Sequence, residues 1–215
     1  MSLSTTDISI VYGYDNSSRL VSVTKNQLGV SQVRVFHYEN ASYPRFLTGI
    51  TDERGVRYAT WTYDTQGRAI TSEHAGGAEK VSIVYNSDGS ASVTNELGKA
   101  TTYRFQVIQG IKHISAIEGE PSANCPSSNS VFTYDSRGLL KTKTDNRGIL
   151  TTYEYNERGL ESSRTEAAGT PQARTITTTW HPTLFLPVTI TEPNQVTTYT
   201  YDGLGRQLSQ TITGL

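Results

Sequence analysis

Residues 134–140 read Tyr-Asp-Ser-Arg-Gly-Leu-Leu, residues 155–160 read Tyr-Asn-Glu-Arg-Gly-Leu, and residues 201–207 read Tyr-Asp-Gly-Leu-Gly-Arg-Gln. The shared signature is an aromatic, then Asp or Asn, then a glycine three positions further on. Working outward, Tyr14-Asp15 and Tyr63-Asp64 open further clear copies. Tyr38-Glu39, Tyr85-Asn86 and Trp180-His181 are degenerate ones, and Phe105 stands where another anchor is due. From Tyr14 to Tyr201 the steps between anchors are 24, 25, 22, 20, 29, 21, 25 and 21 residues. A period in this range, sustained along the whole chain, is the mark of a stacked array of small supersecondary units.

Each part of the unit has a local reason. The Asp or Asn after the aromatic accepts a hydrogen bond from backbone two residues on and closes a turn. Gly67, Gly89, Gly138, Gly159 and Gly205 supply the positive φ that three- to four-residue hairpin loops use. A second turn recurs between these, as Thr51-Asp52-Glu53-Arg54-Gly55, Thr94-Asn95-Glu96-Leu97-Gly98 and Thr144-Asp145-Asn146-Arg147-Gly148. Stretches such as Thr197-Thr198-Tyr199-Thr200-Tyr201 are β-branched and aromatic, with tyrosines two apart on one face. No stretch carries a helical period. The expected fold is all-β: tandem hairpins forming one long curled antiparallel sheet, at about two strands per repeat.

Composition agrees. Across 215 residues nothing marks a boundary between unlike domains, so residues 1–215 read as one array of about nine units. A Pro/Ser-rich insertion at 118–130 accounts for the 29-residue step. Counted with glycine and without tyrosine, the apolar share is about 37%, against a typical 45–50%. That is thin for a core covered on every side, while thirteen tyrosines argue against disorder. A single sheet, wet on much of one face, satisfies both. Eighteen strands would span roughly 85 Å, and open sheets rarely pass about ten strands without curling, so this one should coil or close.

The Y-D-x-x-G-R-L unit with its alternating T-D-x-x-G turn resembles the YD repeat of the Rhs family. That family includes bacterial Rhs proteins, wall-associated toxins, the B and C components of insecticidal toxin complexes, and animal teneurins. Thr179 to Pro187, Thr191-Glu192-Pro193 and Tyr199 to Arg206 look most like bacterial Rhs proteins. The resemblance covers nearly the whole chain. It implies a strip of hairpins spiralling into a hollow shell, which in bacteria commonly encloses a C-terminal toxin used against competitor or host cells. The family's closing D-P-x-G-L segment is missing, since no Asp-Pro pair occurs here. Because it opens and closes inside the repeat pattern, the chain reads as a fragment. Cargo, cleavage and a secreted or cell-surface location are implied only for a longer parent.

Candidate chemistry is sparse. Asp15, Asp64, Asp135 and Asp202 occur singly per turn without the acidic spacing of a calcium loop, so turn closure explains them. His37, His74, His113 and His181 share no metal-ligand spacing. The single cysteine, Cys125, excludes an internal disulfide framework, and no motif nominates a base for it. Gly76-Gly77 has no following helix or lysine motif and reads as a loop. Asn16-Ser17-Ser18 and Asn40-Ala41-Ser42 match the glycosylation pattern as chance does in so Ser- and Asn-rich a chain.

A net charge of −1 gives no electrostatic case for nucleic acid, and no apolar run is long enough to span a bilayer. The residues expected to matter are therefore structural. They are Tyr14, Asp15, Tyr63, Asp64, Gly67, Arg68, Tyr85, Tyr134, Asp135, Gly138, Tyr155, Gly159, Trp180, Tyr201, Asp202, Gly205 and Arg206. The tyrosines have two readings: a cross-strand ladder holding hairpins in register, or rings that stack on sugars. The leading expectation is a passive wall of an encapsulating shell, without catalytic residues, metal or cofactor. The alternative is an adhesive or carbohydrate-binding module. Cutting such a sheet from its parent would leave strands near Ile8 to Tyr14 and Leu208 to Thr213 open to self-association.

Overall fold

Alternating β-branched and polar residues between closely spaced turns leave the chain one regular option, the short antiparallel hairpin. The computed structural model describes residues 8–119 and 129–215. Cys125 and most of the insertion lie outside the described residues.

Eighteen strands are described, in two compact units. The first holds β1 (Ile8–Tyr14), β2 (Leu20–Gln27), β3 (Val30–His37), β4 (Gly49–Thr51), β5 (Arg57–Tyr63), β6 (Ala69–His74), β7 (Val81–Tyr85) and β8 (Ala91–Thr94). The second holds β9 (Ala100–Ile108), β10 (Ile111–Gly119), β11 (Ser130–Tyr134), β12 (Leu140–Thr144), β13 (Leu150–Tyr155) and β14 (Glu161–Glu166), then β15 (Arg174–Trp180), β16 (Pro187–Glu192), β17 (Gln195–Tyr201) and β18 (Gln207–Gly214). One 3-10 turn, Ala75–Gly77, is the only helical element among the described residues. Within each unit, strands pair antiparallel with their sequence neighbours, for example β5 with β6 and β17 with β18.

The YD hairpins share one geometry. At Asp64 the backbone N–H of Gly67 donates to the Asp64 carbonyl (3.0 Å) and that of Asp64 to the Arg68 carbonyl (2.9 Å). Gly67 closes the loop at φ 75°. The same pair of bonds recurs at Asp135, Asn156 and Asp202. This is a type I turn followed by a left-handed residue, which inserts a bulge. The bulge appears where Thr62 faces Thr71 but Tyr63 faces Ala69. In the first copy Ser18, not glycine, holds the positive φ, at 59°. Three connections depart from the expected turns: Leu28-Gly29, Gln109-Gly110 and Pro193-Asn194 join their strands by two residues alone. The first two have both residues at positive φ, the geometry that suits a two-residue hairpin.

Side-chain alternation gives each unit two unlike faces. One is a hydroxyl face. In the second unit Thr133, Thr142, Thr152, Thr165 and Thr175 stand opposite one another in unbroken register across β11 to β15. A parallel row runs Thr179, Thr189, Thr198 and Thr211 across β15 to β18. In the first unit Thr62, Thr71, Ser82 and Thr94 do the same from β5 to β8. The opposite face carries the repeat aromatics. Burial is shallow throughout: among the described residues Ala59 and Ile176 are the buried apolar side chains, and both lie on the aromatic face. With so little core, the strand ladders and turn contacts carry most of the stability.

Candidate functional site: the contacts between repeats

The turn carboxylates come first. In Asp64, Oδ1 accepts from the backbone N–H groups of Gln66 and Arg68, both at 2.9 Å, while Oδ2 accepts from Arg68 Nε at 2.8 Å. Asp15, Asp135 and Asp202 repeat this arrangement with Arg19, Arg137 and Arg206. The arginine sits four residues after the Asp at Arg19, Arg68 and Arg206 but two after it at Arg137, and still reaches the same oxygen. Asn156 and Asn95 keep the two backbone bonds. The T-D-x-x-G turns use the same device, with Asp145 accepting from Arg147 and Ile149.

Backbone donors hold these carboxyls below the ordinary carboxylate range: Arg19 for Asp15, Arg68 for Asp64, Leu139 for Asp135, Ile149 for Asp145 and Arg206 for Asp202. Asp52 is lowered chiefly by the Arg54 side chain.

The aromatics do something the sequence did not disclose. Six of them reach back to the preceding repeat through a polar tip. Tyr38 Oη donates to the Leu20 carbonyl (3.1 Å), Tyr63 to Leu47 (2.7 Å) and Tyr85 to Ala69 (3.0 Å). In the second unit Tyr134 donates to Ile114 (2.8 Å), Trp180 Nε1 to Glu161 (2.7 Å) and Tyr201 to Pro187 (2.7 Å). The accepting residue is usually the one opposite the previous aromatic across the bulge, as Ala69 faces Tyr63 and Pro187 faces Trp180. The chain of contacts therefore steps from one repeat to the next.

Arginine reinforces the step. The Arg19 guanidinium lies 5.0 Å from the Tyr38 ring centroid and that of Arg68 4.1 Å from Tyr85, so an Asp-anchored cation caps the next repeat's aromatic. Arg158, in the turn at Asn156, donates to the carbonyls of His181, Pro182 and Leu184 and lies 5.1 Å from the Phe185 ring.

Not every expected anchor takes part. Tyr14, on β1, is 63% exposed, and its hydroxyl makes no hydrogen bond among the described residues. Phe105 falls inside β9 rather than directly before an Asp-closed turn; it faces Ile114, whose carbonyl Tyr134 uses, and lies beneath Lys112. Tyr155 makes no such bond, though burial raises its phenol above the ordinary range, as it does for Tyr134 and Tyr153. At Gly138, held at φ 82°, a Cβ would also come within 3.0 Å of His113 Nε2, so packing adds to the φ preference for glycine there. Gly159 and Gly205 hold positive φ in their turns, as expected.

Sequence reasoning missed Tyr38's bond, the bulges and the roles of Arg19, Arg137 and Arg158. The recurring Arg near each turn glycine was the one available signal. Among the described residues no group of three or more His, Cys, Asp or Glu could hold a metal ion, and no helix is long and apolar enough to cross a membrane.

Residues 134–171, which contain the Tyr134, Asp145 and Asn156 turns, match the RHS Repeat family model. One stretch of the chain matches an RHS repeat. The likeness in architecture extends well beyond the matched Rhs segment. Over 95% of its length the chain resembles 12% of a chain in the crystal structure of TcdB2-TccC3-Cdc42, at a TM-score of 0.72 and 14% identity. It matches the crystal structure of TcdB2-TccC3 without hypervariable C-terminal region equally well, at TM-score 0.72 and 13% identity, again over 95% of this chain and 12% of that one. At such identity the likeness is one of fold. The Rhs-bearing chain thus corresponds to about an eighth of those chains' length. No curated protein sequence matches it.

Proposed function

We propose that this chain is a structural segment of a bacterial Rhs-type wall, part of a hollow β-shell that encloses a C-terminal toxin polypeptide of a longer secreted or cell-surface protein. The observation that carries the reading is the contact between repeats: the Asp15 and Asp64 turns each present an arginine and a carbonyl to the next repeat's aromatic, and Tyr134, Trp180 and Tyr201 likewise donate to carbonyls of the preceding repeat. A wall needs this, because a thin sheet without a deep core must hold its curvature through contacts between neighbouring hairpins. The fold likeness to TcdB2-TccC3 chains supports the same assignment.

In this reading no side chain is catalytic and no metal, cofactor, nucleic acid or membrane is engaged. The partners are further repeats of the longer chain, pairing along exposed strands such as β1 and β18, and the enclosed polypeptide. In isolation those strands recruit second copies. The adhesive or sugar-binding reading is weaker, because most of the repeat tyrosines commit their hydroxyls to backbone within the array.

The test is limited proteolysis of the longer protein. A polypeptide following the repeats should resist digestion until the repeats unfold. Free digestion with the repeats intact would overturn enclosure and favour the adhesive reading.

A further inference from the structure

We infer that the aromatic face of the sheet is the one that receives the enclosed polypeptide, and that the hydroxyl face meets the surrounding water; this rests on the wall reading above. Across β11 to β18 the two faces are chemically opposed. Across β11 to β18 the registers place a single ionisable side chain, Glu154, on the hydroxyl face. Its hydroxyls pair with one another: Thr133 with Thr142 at 2.6 Å, Thr165 with Thr175 at 2.9 Å and Thr200 with Ser209 at 2.6 Å. Such cross-strand pairs satisfy themselves and water, and offer a partner little.

The aromatic face is the reverse. In the second unit a groove of about 420 Å³ opens on it, lined by Lys143, Tyr153, Arg164 and Glu166 among others. In the first unit a groove of about 460 Å³ lies beside Arg34, Ile50 and Tyr58. A face with aromatic and aliphatic side chains needs a cover. A second copy of the sheet is a poor one, because face-to-face sheets interdigitate apolar side chains over a dry layer about 10 Å thick. Here Lys143 stands exposed on the face, and Arg164 is held between Glu161 and Glu166 (both 3.2 Å).

Grooves of this size admit a few side chains each, and their rims offer both signs of charge beside aromatic rings. That combination fits an extended polypeptide of mixed composition, held loosely in many registers.

The experiment places one thiol on each face in a Cys125→Ser background. Lys143→Cys lies on the aromatic face and Thr177→Cys on the hydroxyl face, both at exposed positions, so neither disturbs packing. Each is labelled with a benzophenone maleimide and irradiated with reduced, carboxymethylated lactalbumin, a permanently unfolded polypeptide. Photo-crosslinking from position 143 should exceed that from 177 about tenfold, the ratio that about 1.4 kcal/mol of preference produces. Equal labelling, labelling chiefly from 177, or none from either position overturns the assignment. Crosslinked dimers of the chain from position 143 overturn it in favour of a second copy. The result is separable from enclosure: crosslinking from 143 without protease protection in the longer protein would remove the shell reading and leave the binding face standing.

Discussion

Replacing Tyr134 by Phe deletes one hydroxyl and leaves the ring, including its 4.8 Å approach to His113. The lost hydroxyl donates at 2.8 Å to the Ile114 carbonyl, beside the bulge where β10 slips past β9. A hydrogen bond of this kind contributes about 1 kcal/mol net, within roughly 0.5–1.5, because water replaces part of it on unfolding. Tyr14 carries the same sequence signature but is 63% exposed and makes no hydrogen bond through its hydroxyl among the described residues, so Tyr14→Phe should stay within about 0.5 kcal/mol of zero. The assay is urea unfolding followed by far-ultraviolet circular dichroism, with stability taken from the midpoint at unchanged slope. The double variant Tyr134→Phe/Tyr201→Phe should cost the sum of the singles to within about 0.5 kcal/mol, since they lie in separate repeats. If Tyr14→Phe costs as much as Tyr134→Phe, the tyrosines act through strand propensity and the bonds between repeats are incidental. If neither matters, the backbone ladder alone holds the array.

Two further outcomes follow from the turns. Ser18 sits at φ 59°, so Ser18→Gly should raise stability by about 0.5–1 kcal/mol, the left-handed penalty less glycine's entropy; Gly138→Ala should lower it, having both φ 82° and His113 against it, and opposite signs in either case would refute the turn assignment. The carboxyls of Asp15, Asp64, Asp135, Asp145 and Asp202 are lowered on folding, so their stabilisation is present above the unfolded carboxylate range near about pH 4 and is lost as pH falls through the folded values. The urea midpoint should therefore drop between neutral pH and about pH 3, by less in Asp135→Asn, and a flat profile would contradict it.

Much was legible before any coordinates. The Tyr-Asp-x-x-Gly spacing fixed where hairpins turn, because a left-handed residue three positions after a capping Asp is a local requirement that one short segment meets by itself. Alternation in segments such as 174–180 determined which residues share a face, since the strand period of two depends on nothing distant. Other features were beyond it. Ser18 does the work of a turn glycine without resembling one, and Arg137 does at two residues what Arg68 does at four, because only the folded loop shows that both reach the same carboxylate oxygen. Phe105 has the right spacing but lies inside β9, whose hairpin turn comes only at Gln109-Gly110. The bonds from Tyr134 to Ile114 and from Trp180 to Glu161 join residues 20 and 19 apart. Their partners are backbone carbonyls, which every residue has, so no side-chain pattern could mark which carbonyl the bulge would bring within reach; that was decided by the register of the folded sheet.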